Sequence, residues 1–233
     1  MNTIRRFALA AALACAFAAP AAATSFLTTE QVDAGLILPP PPANASAREA
    51  AEIAELKAIA AARTPEQFAA ATADAKDETG DWFASAIGPD FDFAKLPATA
   101  RLLADIGETE DTVAKGAKKY FRRDRPWIVA PDLQTCTPRK PGPAQNSYPS
   151  GHSTRAFAMG VTLAHLMPAK AQPILARAAL YAEERLICGV HFRSDIVAGE
   201  ALGTAIALQL QQSPDFRKEY DAAAAELAAA HLR

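Results

Sequence analysis

Apolar side chains recur every three to four positions along most of this 233-residue chain, and nowhere do they alternate strictly over the length of a strand. The spacing predicts an all-α fold in one compact helical domain. The clearest element runs from about Pro97 to Phe121, with Leu102, Leu103, Ile106 and Val113 on its apolar face and Lys118 in its last turns. Ser46 with Glu49 reads as a capping box before an alanine-rich helix that ends near Arg63. Thr64-Pro65-Glu66-Gln67 is a second start signal, with proline at the first helical position. Later helices are predicted from Ser150 to Leu166, Pro173 to Cys188, Ser194 to Gln211 and Pro214 to His231. Alanine raises helix propensity throughout and blurs any single boundary. No internal repeat is visible.

Breakers divide this pattern. Gly80, Gly88-Pro89 and Asp90 interrupt it, and Pro126 to Tyr148 holds five prolines, so that stretch reads as a long loop. Loops of such length inside a compact domain are usually functional. Residues 24–45, with Pro39 to Pro42 at their centre, are expected to form an extended arm, leaving 46–233 as the helical domain. Residues 1–23 read as a signal peptide: Arg5 and Arg6 supply the positive region, Phe7 to Phe17 the apolar region and Ala21-Ala22-Ala23 the cleavage site. The expectation is a periplasmic or secreted protein. The apolar region is too short to span a bilayer, and no later run reaches the roughly 20 apolar residues a membrane helix needs.

Composition narrows the function classes. Twenty-four basic residues against 26 acidic ones give a formal net charge of −2; losing Arg5 and Arg6 leaves 22 against 26, or −4. Such a surface does not attract a nucleic-acid backbone non-specifically, so positive charge must come from local clustering. Cys136 and Cys188 remain once Cys15 leaves with the leader; an oxidising location suits a disulfide between them, and two buried thiols are the alternative.

Three short stretches concentrate the candidate chemistry: Lys118 followed after six residues by Arg125-Pro126; then Pro149-Ser150-Gly151-His152; then Arg185, His191 and Asp195, spaced by five and three residues. Their order and spacing resemble the type-2 phosphatidic acid phosphatase superfamily. The secretory leader, the LPPPP run (Leu38 to Pro42), NSYPSGH (Asn146 to His152) and LICGVHFRSD (Leu186 to Asp195) resemble, within it, the bacterial class A non-specific acid phosphatases. The resemblance runs from about Leu36 to the C-terminus. It implies a metal-independent acid phosphatase acting on a broad range of phosphomonoesters, with a phosphohistidine intermediate, a phosphotransferase side activity, inhibition by inorganic phosphate or vanadate, and a homodimer.

The residues support that chemistry on their own terms. Arg125 and Arg185 can each grip two phosphate oxygens through a planar fork, while Lys118 acts as a point charge. His191 and Asp195, four apart, share one helical face; a carboxylate on one imidazole nitrogen leaves the other free to attack phosphorus. His152 can give a proton to the leaving oxygen and then activate water. Gly151 lets backbone approach an anion at a helix start, and Ser150 offers a hydroxyl donor. Against this stands the bland reading, in which the cations are surface groups paired with Glu110, Asp111 or Glu184. Glu184 occupies a position that is commonly serine in the family, beside Arg185; Arg193 is a further cation placed to compensate. His165 and His231 have no such company. With no paired carboxylates at metal spacing and no Cys/His cluster, neither metal nor cofactor is expected. Two rival enzymes share the pocket pattern: a vanadium-dependent haloperoxidase, with His191 ligating vanadate, and a lipid phosphatase.

Overall fold

The computed structural model describes residues 22–139 and 145–233, and among them every regular element is helical. The expected leader, Cys15 and all but the last two residues of the cleavage segment lie outside the described residues. In chain order the helices are α1 (Ala34–Ile37), α2 (Ala47–Ala62), α3 (Pro65–Asp74), α4 (Ala84–Ile87), α5 (Pro97–Phe121), α6 (Pro126–Val129), α7 (Gly151–Leu166), α8 (Ala171–Ile187), α9 (Arg193–Leu210) and α10 (Pro214–Ala229). The long helices start and stop close to where periodicity and caps predict. Thr64 and Gln67 form the full capping box, each accepting from the other's N–H. At α2 only half of it forms: Ser46 accepts from Glu49 N–H, while the Glu49 carboxylate reaches past Ser46 to the N–H of Ala45.

Helix α7 is the hub, packed on α9, α8 and α5. Leu102, Leu103 and Ile106 of α5, Met159 and Leu163 of α7, and Leu202 and Ile206 of α9 are fully buried together. Each such side chain contributes about 1.5–3 kcal/mol on leaving water. What lets α7 and α9 touch is glycine. A Cβ at Gly199 would lie 2.6 Å from the Ser150 carbonyl, and one at Gly203 would overlap the Thr154 carbonyl. This close approach is what brings the start of α7 beside the start of α9. Gly203→Ala is therefore expected to cost about 1–3 kcal/mol, because backbone must move to admit the methyl group; a thermal midpoint equal to that of the parent protein would contradict this.

The arm differs from its expected extended form by one turn, α1, which Asp33 caps by accepting from Gly35 N–H and which ends before the proline run. It is pinned to the body at several points. Thr24 N–H donates to buried Asp105 and Phe26 N–H to Thr109, both on α5, while Tyr148 Oη donates to the Pro39 carbonyl. The predicted long loop likewise contains one turn, α6, started by Pro126. Helix α5 lacks a side-chain cap of its own; Glu226 of α10 accepts from the N–H groups of Ala98 and Thr99 instead. Cys136 and Cys188 are joined by a disulfide that ties the loop after α6 to the end of α8. No helix of the described residues is long and apolar enough to cross a membrane.

Candidate active site

The end of α5, the start of α7 and the turn between α8 and α9 converge on one cleft of about 1320 Å³. Lys118, Arg125, Gly151, His152, Arg185 and His191 all line it, although they span more than seventy positions in sequence.

His191 forms the floor, 2% exposed. The backbone turns into α9 just after it, so Asp195 comes round one turn later and its Oδ2 lies 3.2 Å from His191 Nδ1. Asp195 is itself fully buried. Its carboxylate accepts from Phe192 N–H at 2.9 Å, Ser147 Oγ at 2.5 Å and Arg123 Nη1 at 2.7 Å. With the carboxylate holding the Nδ1 proton, the lone pair of His191 sits on Nε2, facing the cleft. Arg125 Nη1 lies 2.9 Å from that nitrogen and also donates to the Val190 carbonyl. Pro126 holds the arginine's backbone extended, as the residue before a proline must be. The guanidinium thus rests directly on the His191 ring nitrogen that faces the cleft.

Arg185 projects from the last turn of α8 and is 5% exposed. Its Nη1 is 3.8 Å from Cys188 Sγ, and among the described residues its Nε has no hydrogen-bond partner and no carboxylate forms an ion pair with it. Among the described residues Lys118 likewise forms no ion pair, and a Cβ on Gly151 would sit 3.0 Å from its Nζ and 3.3 Å from Glu110 Oε1. Glycine therefore leaves open the space between the lysine and the first turn of α7, whose leading N–H groups have no intrahelical acceptor. Ser150 is placed differently from the expectation. It is fully buried, and its Oγ accepts from Ser153 N–H and Ser153 Oγ, so the hydroxyl caps α7 behind the cleft wall.

His152 lines the same cleft at the start of α7. Its ring stacks on Tyr181 at 5.7 Å, Tyr181 stacks on Trp82 at 4.2 Å, and Nε2 faces the Ala75 carbonyl at 3.4 Å and Glu78 Oε1 at 3.6 Å. Burial and crowding by cations shape the titrations. Burial first, then Arg185 and His191, hold His152 well below the ordinary histidine range. Burial, then Arg125, Arg185 and Lys118, do the same to His191. Burial and Arg125 also lower Lys118. Each cation makes the others costly, and an oxyanion at their centre would relieve all of them.

Comparison with known proteins fits this geometry. Residues 102–218 match the PAP2 superfamily. An acid phosphatase of Zymomonas mobilis is 32% identical over 197 residues, covering 82% of this chain and 74% of that protein. The chain belongs to the PAP2 superfamily. A non-specific acid phosphatase of Salmonella typhi is also 32% identical, over 81% of this chain and 78% of its own length. Among solved structures, a transmembrane PAP2-type phosphatidylglycerolphosphate phosphatase of Bacillus subtilis aligns with a TM-score of 0.54 at 20% identity, over 80% of this chain and 90% of that one. That likeness is one of fold.

The PAP2 site contains residues that motif spacing does not pick out. Arg123 is the chief of them: 2% exposed, it bonds Asp195 through Nη1 and Glu52 through Nη2 at 2.6 Å, and stacks 3.9 Å over the Phe192 ring. In sequence it is the middle arginine of Arg122-Arg123-Asp124-Arg125, where nothing sets it apart. Tyr181 and Ser147 were equally silent. Two alternatives that the sequence leaves open are decided. Arg193 turns away from the cleft to pair with Glu55 at 2.7 Å and with Glu183. Glu184 does not pair with Arg185; it is buried against Asp74, which itself pairs with Arg177, and burial together with a hydrogen bond to Asp74 pushes its carboxyl up to about 8. Of the bland pairings, Glu110 goes to Arg155 at 3.0 Å and Asp111 to Lys115, leaving Lys118, Arg125 and Arg185 for something else.

Proposed function

We propose that this chain is an acid phosphatase that hydrolyses a range of phosphomonoesters through a phosphohistidine on His191, without a metal ion. One observation carries the reading: a buried guanidinium, Arg185, with neither an acidic partner nor a satisfied Nε among the described residues, sharing a cleft with two more cations that form no ion pair there. A buried charge is normally paired, and an unpaired one is strongly unfavourable. A phosphoryl dianion supplies the missing charge, and the same cations would stabilise the trigonal phosphoryl group as its bond to the leaving oxygen stretches. A divalent cation in their midst would be repelled.

The steps follow from the two imidazoles. The Nε2 lone pair of His191 attacks phosphorus, the bond to the ester oxygen breaks, and that oxygen takes a proton from His152. Asp195 stabilises the positive charge growing on the His191 ring. Water then loses a proton to His152 and attacks phosphorus; the P–N bond breaks, returning neutral His191 and releasing phosphate. An alcohol in place of water would give phosphotransfer. The leader pattern and the Cys136–Cys188 disulfide support action outside the cytoplasm.

Burial, then Arg185 and His191, hold His152 well below the ordinary histidine range, which favours its neutral form. The proton it must donate therefore arrives with a monoanionic substrate, and phosphomonoesters lose that proton near pH 6. Accordingly kcat/KM is expected to fall by up to about tenfold per pH unit above about pH 6, and to be the same with and without a chelator. A pH–rate profile on a panel of alkyl and aryl phosphates checks both; a profile flat to pH 8, or loss of activity in chelator, would end this reading.

A further inference from the structure

The cleft holds more positive charge than one phosphoryl group uses. Among the described residues eight cationic side chains line it against three carboxylates, in a chain whose formal net charge is −2. Every one of those carboxylates is already committed: Asp111 to Lys115 at 2.5 Å, Glu78 to Arg155 at 2.8 Å and Glu110 to Arg155 at 3.0 Å. Lys118, Arg125 and Arg185 surround the phosphoryl position. Arg139 lines the cleft too, but its guanidinium donates to the carbonyls of Pro131 and Leu133. That leaves Lys119 and Arg122, both exposed, lining the same cleft with no carboxylate partner among the described residues.

Their placement is directional. His191 lies at the buried floor, so in-line displacement from its Nε2 drives the leaving group outward, past the exposed residues at the mouth. Arg125 Nε donates to Asn146 Oδ1 at 2.8 Å, and one residue along the same chain segment Gln145 Oε1 accepts from Arg122 Nη2 at 3.2 Å. The two arginines are thus carried side by side from the phosphoryl pocket toward solvent. Arg122 also ends α5 in the left-handed region, at φ 50° and ψ 47°, where glycine is the usual residue. A side chain kept at a strained position beside a site points to a use for that side chain. A cleft lined by one sign of charge further concentrates ligands of the opposite sign.

We propose that Lys119 and Arg122 form an outer anion subsite that takes a second phosphoryl group carried by the leaving group. Diphosphates and bisphosphates are then the favoured substrate class. This rests on the phosphatase reading above and uses the same displacement. The bond from the reacting phosphorus to the bridging oxygen breaks, and that oxygen, still attached to the second phosphoryl group, takes the proton from His152.

The test is the double variant Lys119→Gln/Arg122→Asn, asparagine being tolerated in the left-handed conformation. Turnover of inorganic pyrophosphate and of fructose 1,6-bisphosphate, which hold the second phosphoryl group near and far, is compared with that of phenyl phosphate, whose leaving group is uncharged. The expected result is a fall in kcat/KM of about tenfold on at least one of the doubly phosphorylated substrates, carried by KM and weakened by salt, with phenyl phosphate within about twofold of the parent protein. An equal fall on all three, or no fall on either doubly phosphorylated substrate, would overturn the subsite. Failure of the parent protein to release phosphate from phenyl phosphate would instead remove the phosphatase reading beneath it.

Discussion

His191→Ala is expected to lower kcat for p-nitrophenyl phosphate by about 10⁴-fold or more, because among the described residues no other side chain at the cleft floor could take the proposed part of attacking phosphorus. His152 is held by stacking on Tyr181 and by the Ala75 carbonyl, and its proposed part is proton transfer to the departing oxygen. The variant should still bind inorganic phosphate, since Lys118, Arg125 and Arg185 are untouched; removing a neutral ring that crowds them leaves the anion pocket intact. Rapid acid quench of the parent protein with labelled substrate should trap phosphate on His191, and the variant should carry none. Asp195→Asn is the complementary experiment. It keeps the shape but loses the carboxylate that holds the Nδ1 proton and stabilises the charged ring, so a loss of about 10²–10⁴-fold is expected. Turnover near that of the parent protein in His191→Ala would exclude His191 as nucleophile, whatever the pocket binds.

Arg123→Met should destabilise the fold and weaken catalysis together. The arginine is the common cation of Asp195 and Glu52, both buried, and it joins α2, the end of α5 and the start of α9 at one point. Removing one partner of a buried charge cluster strands the others, at a cost of about 3–5 kcal/mol. For a domain of this size each kcal/mol corresponds to about 2–4 °C, so the thermal midpoint should drop by roughly 6–20 °C. Adding Glu52→Gln to the variant should recover part of that loss, because one of the stranded carboxylates is then neutral. Catalysis should remain low in the double variant, since Asp195 still lacks the donor that fixes its orientation. A midpoint within about 2 °C of the parent protein would show that these carboxylates are not held by the arginine.

Helices with strong punctuation were legible before any coordinates. Pro97 at the start of α5, Thr64-Pro65 at α3 and Ser150 at α7 act within a few residues of themselves, and the apolar face of α5 repeats through Leu102, Ile106 and Val113. The short turns α1, α4 and α6 were not legible, since four residues carry too little periodicity to stand out from a loop. The cationic and imidazole groups of the site were visible because their chemistry requires particular residue types at particular spacings. Ser150 was recognised as part of the motif, yet its hydroxyl turned out to be engaged by Ser153, an interaction that depends on how the first turn of α7 winds.

By itself the order of residues determined which segments coil, where they stop, and which three cations and two imidazoles were available to handle an anion; these depend on contacts within a turn or on the residues' own chemistry. Only the tertiary structure decided who pairs with whom. Glu184 could have neutralised its neighbour Arg185, and instead lies buried against Asp74; Arg193 could have joined the pocket, and instead pairs with Glu55. Arg123, indistinguishable in a run of basic residues, became the support of Asp195 because glycines 199 and 203 let α7 and α9 close together and α2 brings Glu52 to the same spot. Charge pairing acts through space over a few ångströms, so it follows from packing between distant segments, and that information is absent from any local stretch of the chain.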